Sequence, residues 1–378
     1  MRTKPNVAII GVGNTAYGNF PEEDSNSLAV KAFKNALLDA NIQAKDIDGI
    51  VTHRVGNYQK ICEMTGINPE FISIQPPNGR LCGVSIQIAA LALMTGQAKT
   101  IALFYGNDGK SGGSTYGGKS DRYDTAAEQL WFPYGMTSPG AVNALMFQRH
   151  CELYGTTSED LGNIAVGIRS HAQLNPQAVL RKPMTIQDHQ SSKMICAPLR
   201  LFDYCQINDG GIAMIMTTND RAIDYAKQPV YIRGFGQASS LANGIVSEDF
   251  NWGPMNHVAQ YIYSDSDIPQ SELDGLMIYD NFTPSVIFGL EGFGFCKQGE
   301  GGDFVKGDRL RLNGALPINT SGGHLSESYM QGWNLNIEAI RQIRGECDAR
   351  QIKDAKHIQY IAPGPVSTSI IYSSEKHR

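Results

Sequence analysis

Charge is scarce in this chain: Asp, Glu, Lys and Arg make up 18% of its 378 residues, where about a quarter is usual. With 32 basic against 37 acidic side chains the formal net charge is −5, so there is no basic field to hold a nucleic-acid backbone. Hydrophobicity is not low in parallel, since 42% of residues are apolar, and this excludes a disordered chain. No apolar run approaches the roughly 18 residues of a membrane-spanning helix. The segment Met1–Asn6 leads only into the short apolar or glycine run Val7–Gly13, too brief for a signal peptide. The 7 cysteines are odd in number, scattered and without a CxxC pair, which points to free thiols in a reducing compartment. HExxH is absent and no His, Cys and Asp residues have ligand spacing. The expectation is a soluble, cytoplasmic protein with no metal or other cofactor of its own.

Glycine is abundant, at 40 residues, above the usual level of about 7%. Strand-like runs alternate with helical patterns along the chain. Val7–Ile10, Gly49–Val51, Thr100–Tyr105, Ala213–Thr217, Leu276–Tyr279 and Ile358–Ile361 read as strands. Ser27–Ala40, Ser85–Thr95, Ala141–Tyr154, Leu161–Leu174 and Leu335–Arg344 read as helices, with Ser27 as an N-cap and Gly96 closing the second helix. An internal repeat organises them. Ile42 to Val51, containing Asp48-Gly49, matches Ile268 to Met277, containing Asp274-Gly275; Ala98-Lys99-Thr100-Ile101 is echoed by Ala355-Lys356-His357-Ile358. The expected fold is α/β, with similar N-terminal (1–230) and C-terminal (231–378) halves. A loop region at about 107–200 is inserted in the first half.

Two nucleotide motifs fail on context. Gly11-Val-Gly13-Asn-Thr-Ala16 fits a dinucleotide fingerprint, but loop sequence follows where a helix should begin. Gly113 to Ser120 fits a phosphate loop without the strand-to-helix setting that motif needs.

Polar and glycine residues concentrate instead at predicted strand ends: Asn78-Gly79-Arg80-Leu81-Cys82-Gly83, Tyr279-Asp280-Asn281-Phe282, Asn319 to Tyr329 including His324 and Ser326, and Ala362-Pro363-Gly364. Open α/β sheets place ligands at such ends. These phrases, with the opening Val7-Ala-Ile-Ile-Gly-Val-Gly13, Asn208-Asp209-Gly210-Gly211, Gly294 to Gly302 and Pro317 to Gly323, resemble the thiolase superfamily of the sterol-carrier-protein type. The resemblance implies two similar βαβαβ halves in a five-layer αβαβα thiolase fold. Thiolases use a nucleophilic Cys, two His-bearing loops and often a second Cys. Here those positions fall on Arg80, Tyr279, Tyr329 and Ala362. Tyrosine at both His positions is similar to the thiolase-like aldolases that cleave steroid side chains. That branch implies retro-aldol cleavage of a β-hydroxyacyl-CoA to a ketone and a shortened acyl-CoA, such as propanoyl-CoA or acetyl-CoA. It also implies a small partner of OB-fold and zinc-ribbon type, where any zinc would reside, often linked to an enoyl-CoA hydratase. A homodimer, or a heterotetramer with the partner, is expected.

The chemistry is coherent on the residues alone. A retro-aldol needs a base for the β-hydroxyl proton and a holder for enolate charge, without a covalent intermediate. Tyr279 and Tyr329 are the expected acid/base pair, in either order. Making one a phenolate near neutrality requires lowering its pKa from about 10 to about 7, roughly 4 kcal/mol, with Arg80, a helix N-terminus or backbone amides as the source. Enolate charge would rest on N–H groups of Gly364 or of the turn from Arg80 to Gly83. Asp280, Asn281, His324 and Ser326 either support this chemistry or only hold the loops. Arg80 could instead bind CoA phosphates or pair with Asp280. Two alternatives stand beside the aldolase: a thiolase or acyltransferase using Cys82 as nucleophile, and a non-catalytic scaffold subunit.

Overall fold

The computed structural model describes residues 3–114, 138–225, 227–240 and 248–377. Its main sheet comprises β1 (Val7–Asn14), β2 (Gly49–His53), β3 (Phe71–Gln75), β4 (Thr100–Asp108), β5 (Asp209–Thr218), β6 (Val230–Ser239), β7 (Gly275–Ile278), β8 (His357–Ala362) and β9 (Val366–Ser373). Their spatial order is β3-β2-β4-β5-β1-β6-β9-β8-β7. The helices that position the site are α1 (Ser25–Ala40), α2 (Tyr58–Thr65), α3 (Cys82–Met94), α4 (Pro139–Tyr154), α5 (Ser158–Ala172), α6 (Trp252–Ser266), α7 (Thr283–Gly292) and α8 (Trp333–Arg344).

The order reads the same from both ends. In the first half β2 runs parallel to β3 and β4, β4 antiparallel to β5, and β5 antiparallel to β1. In the second, β7 is parallel to β8, β8 antiparallel to β9, and β9 antiparallel to β6. A parallel bridge from Leu276 to Ile318 occupies the place that β3 holds in the first half. The halves join where Val7, Ala8 and Ile9 pair with Ile232, Tyr231 and Val230.

The sequence repeat sets the register. Gly49 lies opposite Ile101 and Gly275 opposite Ile358. Asp48 accepts hydrogen bonds from the amides of Lys99 (2.9 Å) and Thr100 (2.8 Å). Asp274 accepts them from Lys356 (2.7 Å) and His357 (2.8 Å). Each Asp-Gly thus clamps its Ala-Lys partner strand with charge-assisted bonds.

Side-chain alternation along the strands builds three cores. Ala8, Ile10, Ile50 and Phe104 face α1 through Ala29, Phe33 and Ala36. Val7, Ile9, Leu103, Met277, Tyr360 and Ile370 face a central layer made by α3 and α8. Leu276, Ile278 and Ile371 face Met255 and Val258 of α6 and Val286 and Ile287 of α7. These are the five layers that the family resemblance implies.

Several local expectations need correction. Asp24, not Ser27, caps α1: its carboxylate accepts from the Ser27 amide at 2.7 Å, while the Ser27 hydroxyl accepts from the Asp24 amide at 3.0 Å, a reciprocal capping box. Gly11 and Gly13 lie inside β1, where a Cβ would come within 2.5 Å of Ala36 O and 2.3 Å of Ala32 O. They let α1 pack close and cradle no phosphate. Asp209-Gly210-Gly211 begins a strand and does not form a turn. Strands β3, β6 and β9 and helices α2 and α6 lie outside the elements read from the sequence. Of the Gly113–Ser120 phosphate-loop match, residues 115–120 lie outside the described residues, as does the loop region from 115 to 137. No helix among the described residues is long and apolar enough to cross a membrane.

Candidate active site

Tyr279 follows β7 directly, and its amide donates to Ile361 O at 2.8 Å, so the sheet itself aims its ring. Tyr329 lies on the loop entering α8. Buried Glu327 ties that loop together, accepting from Ser321 Oγ (2.6 Å), Asn334 Nδ2 (2.8 Å) and Asn175 Nδ2 (3.1 Å). Ser328 Oγ donates to Asn208 Oδ1 at 3.3 Å, and Asn107 Nδ2 donates to Asn208 O at 2.9 Å and Tyr329 O at 3.4 Å. The Asn208-Asp209 phrase is therefore a buttress for the tyrosine loop. Two separate elements converge so that the phenol oxygens of Tyr279 and Tyr329 are hydrogen-bonded at 2.7 Å.

His324 is wedged against both rings, edge to face, with centroids 4.6 Å from Tyr279 and 5.1 Å from Tyr329. Its Nε2 accepts from the Gly332 amide at 3.0 Å, which leaves the proton on Nδ1, 3.4 Å from Asp280 Oδ1. Burial lowers the His324 pKa to about 3, so the ring is neutral. Asp280 accepts from the amides of His324 (2.9 Å) and Leu325 (3.3 Å), yet burial raises its pKa to about 7. Both residues hold the tyrosines in place from behind.

The turn from Asn78 to Gly83 closes the other side. A Cβ on Gly79 would lie 2.4 Å from the Tyr279 hydroxyl and 3.0 Å from that of Tyr329, so only glycine lets this backbone cover the pair. His53 Nε2 donates to Asn78 O at 3.0 Å while its Nδ1 accepts from Trp333 Nε1 at 2.9 Å. Gln331 Nε2 donates to Pro77 O at 3.1 Å. Arg80 Nε donates to Pro363 O at 2.6 Å, and its guanidinium stands 5.6 Å from the Tyr279 ring centroid. Arg80 is thus anchored to the terminal loop and is not paired with Asp280. Gly364 adopts φ 143°, a conformation reserved for glycine, and a Cβ there would meet Arg80 Nε at 2.5 Å. Gly83 is in the first turn of α3, where backbone N–H groups have no helical partner.

Titration corrects one expectation. Burial raises both phenols, Tyr329 to about 12 and Tyr279 well above its ordinary value. The positive charge of Arg80 pulls both down but is outweighed. Neither tyrosine is a standing phenolate.

Cys82 does not fit a nucleophile. It is fully buried in the central core, its sulfur accepts from Asn336 Nδ2 at 3.3 Å, and burial pushes the thiol pKa well up; a nucleophilic Cys needs the opposite. Asn281 stabilises its loop: Oδ1 accepts from Ser285 Oγ at 2.9 Å and its carbonyl from the Cys205 amide at 3.0 Å. Ser326 Oγ accepts from Arg169 Nε at 2.8 Å. The residues that sequence reasoning missed are Gly79, His53 and Gln331. The repeat offset of 226 residues that places Gly49 on Gly275 also places His53 on Tyr279, a signal that could have found it. Among the described residues no group of three or more His, Cys, Asp or Glu side chains could hold a metal ion.

Comparison with known proteins shows the family and the fold. A family model described as "thiolase C-terminal domain-like" matches residues 236–369. The chain is 35% identical over 378 residues to a steroid side-chain-cleaving aldolase of Thermomonospora curvata, covering 96% of each chain. It is 32% identical to the 17-hydroxy-3-oxo-4-pregnene-20-carboxyl-CoA lyase of Mycobacterium tuberculosis, covering 96% of this chain and 97% of that one. Among solved structures, the Ltp2-ChsH2(DUF35) aldolase superposes with a TM-score of 0.91 at 32% identity, covering 99% of each chain. A human mitochondrial 3-ketoacyl-CoA thiolase, at 13% identity and a TM-score of 0.71, shares the fold. With a thiolase architecture and 35% identity along nearly its whole length to a steroid side-chain-cleaving aldolase, this chain belongs to the thiolase-like superfamily and groups there with the steroid side-chain-cleaving aldolases.

Proposed function

We propose that the chain is a carbon–carbon lyase that cleaves a β-hydroxyacyl-CoA, a steroid side-chain thioester, into a ketone and a shortened acyl-CoA such as propanoyl-CoA or acetyl-CoA. The observation that carries the mechanism is the 2.7 Å contact between the Tyr279 and Tyr329 hydroxyls. Cleavage breaks the Cα–Cβ bond. The β-hydroxyl loses its proton as the ketone forms, the electron pair moves into the thioester enolate, and Cα finally gains a proton. The net event is transfer of one proton from the β-oxygen to Cα. Two touching neutral phenols can relay it: one accepts from the substrate hydroxyl as it passes its own proton to the second, which protonates Cα. No phenolate is needed at rest, consistent with the raised pKa values of both groups. In this reading Arg80, the Gly364 N–H and the first-turn amides of α3 hold the enolate charge.

In this reading the chain needs no cofactor of its own, and CoA belongs to the substrate. It acts in the cytoplasm with a small DUF35-type partner of OB-fold and zinc-ribbon form, coupled to an enoyl-CoA hydratase; support is that the structurally similar aldolase is named with a DUF35 protein. We assign a homodimer through β3, the edge of the sheet, which exposes Ile72 (39%) and Ile74 (57%). Unprotected apolar edges of this kind invite pairing.

The test is to co-express the chain with its partner and supply β-hydroxyacyl-CoA thioesters without added CoA. Ketone plus shortened acyl-CoA is expected, and Tyr279→Phe and Tyr329→Phe should each reduce turnover at least about 10³-fold with the fold intact. Cleavage that requires added CoA would restore the thiolase reading. No turnover by the assembled complex would favour a scaffold.

A further inference from the structure

A third phenol stands beside the pair. Tyr360, on the central face of β8, is fully buried, and among the described residues no atom satisfies its hydroxyl. A Cβ added to Gly332, whose φ is 91°, would lie 2.3 Å from the Tyr360 hydroxyl and 3.3 Å from the Tyr279 ring, so the two tyrosines flank the same glycine. Tyr360 is two residues before Ala362. Directly across the ladder from Ala362 is Thr368, whose hydroxyl is also buried without a partner and would lie 2.3 Å from a Cβ on Gly83, in the first turn of α3. Two orphaned hydroxyls on one face of one hairpin therefore look toward the tyrosine loop and the helix N-terminus. An unsatisfied buried hydroxyl is destabilising, so a purely structural site would favour phenylalanine at 360. Tyr360 is 0% exposed and Tyr279 1%; burial, then Cys82 and Tyr372, raise the Tyr360 pKa against the pull of Arg80.

We propose that Tyr360 is a further catalytic residue, whose hydroxyl donates a hydrogen bond to the thioester oxygen of the acyl-CoA as that oxygen takes up enolate charge. The proposal rests on the retro-aldolase reading. No bond to Tyr360 forms or breaks; the donor only holds charge, so its effect belongs in kcat.

Tyr360→Phe removes one oxygen and nothing else, and the test is to measure kcat, KM and Tm of this variant in the assembled complex. Loss of one such donor should lower kcat about 10²-fold with KM nearly unchanged, and Tm should hold or rise as an unsatisfied group disappears. Turnover within about twofold of the parent, with Tm unchanged or raised, would overturn the proposal; so would a loss of activity that tracks a loss of Tm. Tyr279→Phe in the same assay separates the two claims. If it is inactive while Tyr360→Phe is active, the aldolase reading stands and this inference falls. If both turn over normally, the aldolase assignment of the pair falls with it.

Discussion

His53 and Tyr279 occupy the same place in the two halves, one residue type apart in kind and a world apart in use. His53 ends β2 and Tyr279 directly follows β7, the strands that open at the clamped Asp-Gly, and each is a buried ring. In the first half the ring is spent on support: His53 bridges Asn78 O and Trp333 Nε1, and burial lowers its pKa to about 4, so it stays neutral. In the second half the ring reaches the Tyr329 hydroxyl. The contrast teaches that one scaffold position, fixed by one clamp, serves as brace or as reagent according to what the opposite loop presents.

The comparison is tested most severely by exchanging its two members. Tyr279→Phe should cost at least about 10³ in kcat and little stability. His53→Phe should do the reverse, leaving Asn78 O and Trp333 Nε1 unpaired for a loss of about 2–4 kcal/mol while the folded enzyme keeps activity within about tenfold. Urea unfolding and steady-state kinetics on the same preparations separate the two outcomes. Equal kinetic damage from both would erase the distinction.

The clamps sharpen it at smaller scale. Asp48→Ala and Asp274→Ala each strip a pair of backbone amides of their acceptor, and each should destabilise by about 1–3 kcal/mol. If the halves are equivalent in construction, the two losses agree within about 1 kcal/mol. Only Asp274→Ala should also disturb kcat, because of the two clamped halves only the second leads into reacting side chains. The smallest effect is expected at Cys82: Cys82→Ser should leave turnover within about threefold and iodoacetamide should not inactivate, since burial keeps the thiol protonated.

Much of this was legible in the sequence where pattern and physics coincide. The strands β1, β4, β5, β7 and β8 carry apolar cores, and the Asp-Gly repeat reported their register because a clamp needs its carboxylate at a fixed place. Other strands were hidden by composition. β6 contains Arg233, Gly234 and Gly236, and β9 opens Val366-Ser-Thr-Ser; both are buried by neighbours on each side and owe little to an apolar run. β3 alternates at an edge and leaves Ile72 and Ile74 outside. At the site, the identity of the tyrosines could be placed by motif, but not their contact, because Tyr279 and Tyr329 meet only after β7 and the loop before α8 are both in position. Their raised pKa values were equally out of reach, since burial is a property of the packed layers. Gly79 was visible only as one glycine among 40; its role depends on two hydroxyls brought to it from the other half.

The central claim is that two neutral phenols replace a thiolate and two imidazoles. The pH dependence of kcat for the assembled enzyme tests it directly. Burial raises Tyr329 to about 12 and Tyr279 well above its ordinary value, and the neutral pair is the working form. The profile should therefore be level from about pH 8, above the range in which Asp280 titrates, to about 10, and fall only as Tyr329 ionises above that range. A rising limb with an apparent pKa near 7 that persists in Asp280→Asn would show a standing phenolate base and contradict the relay.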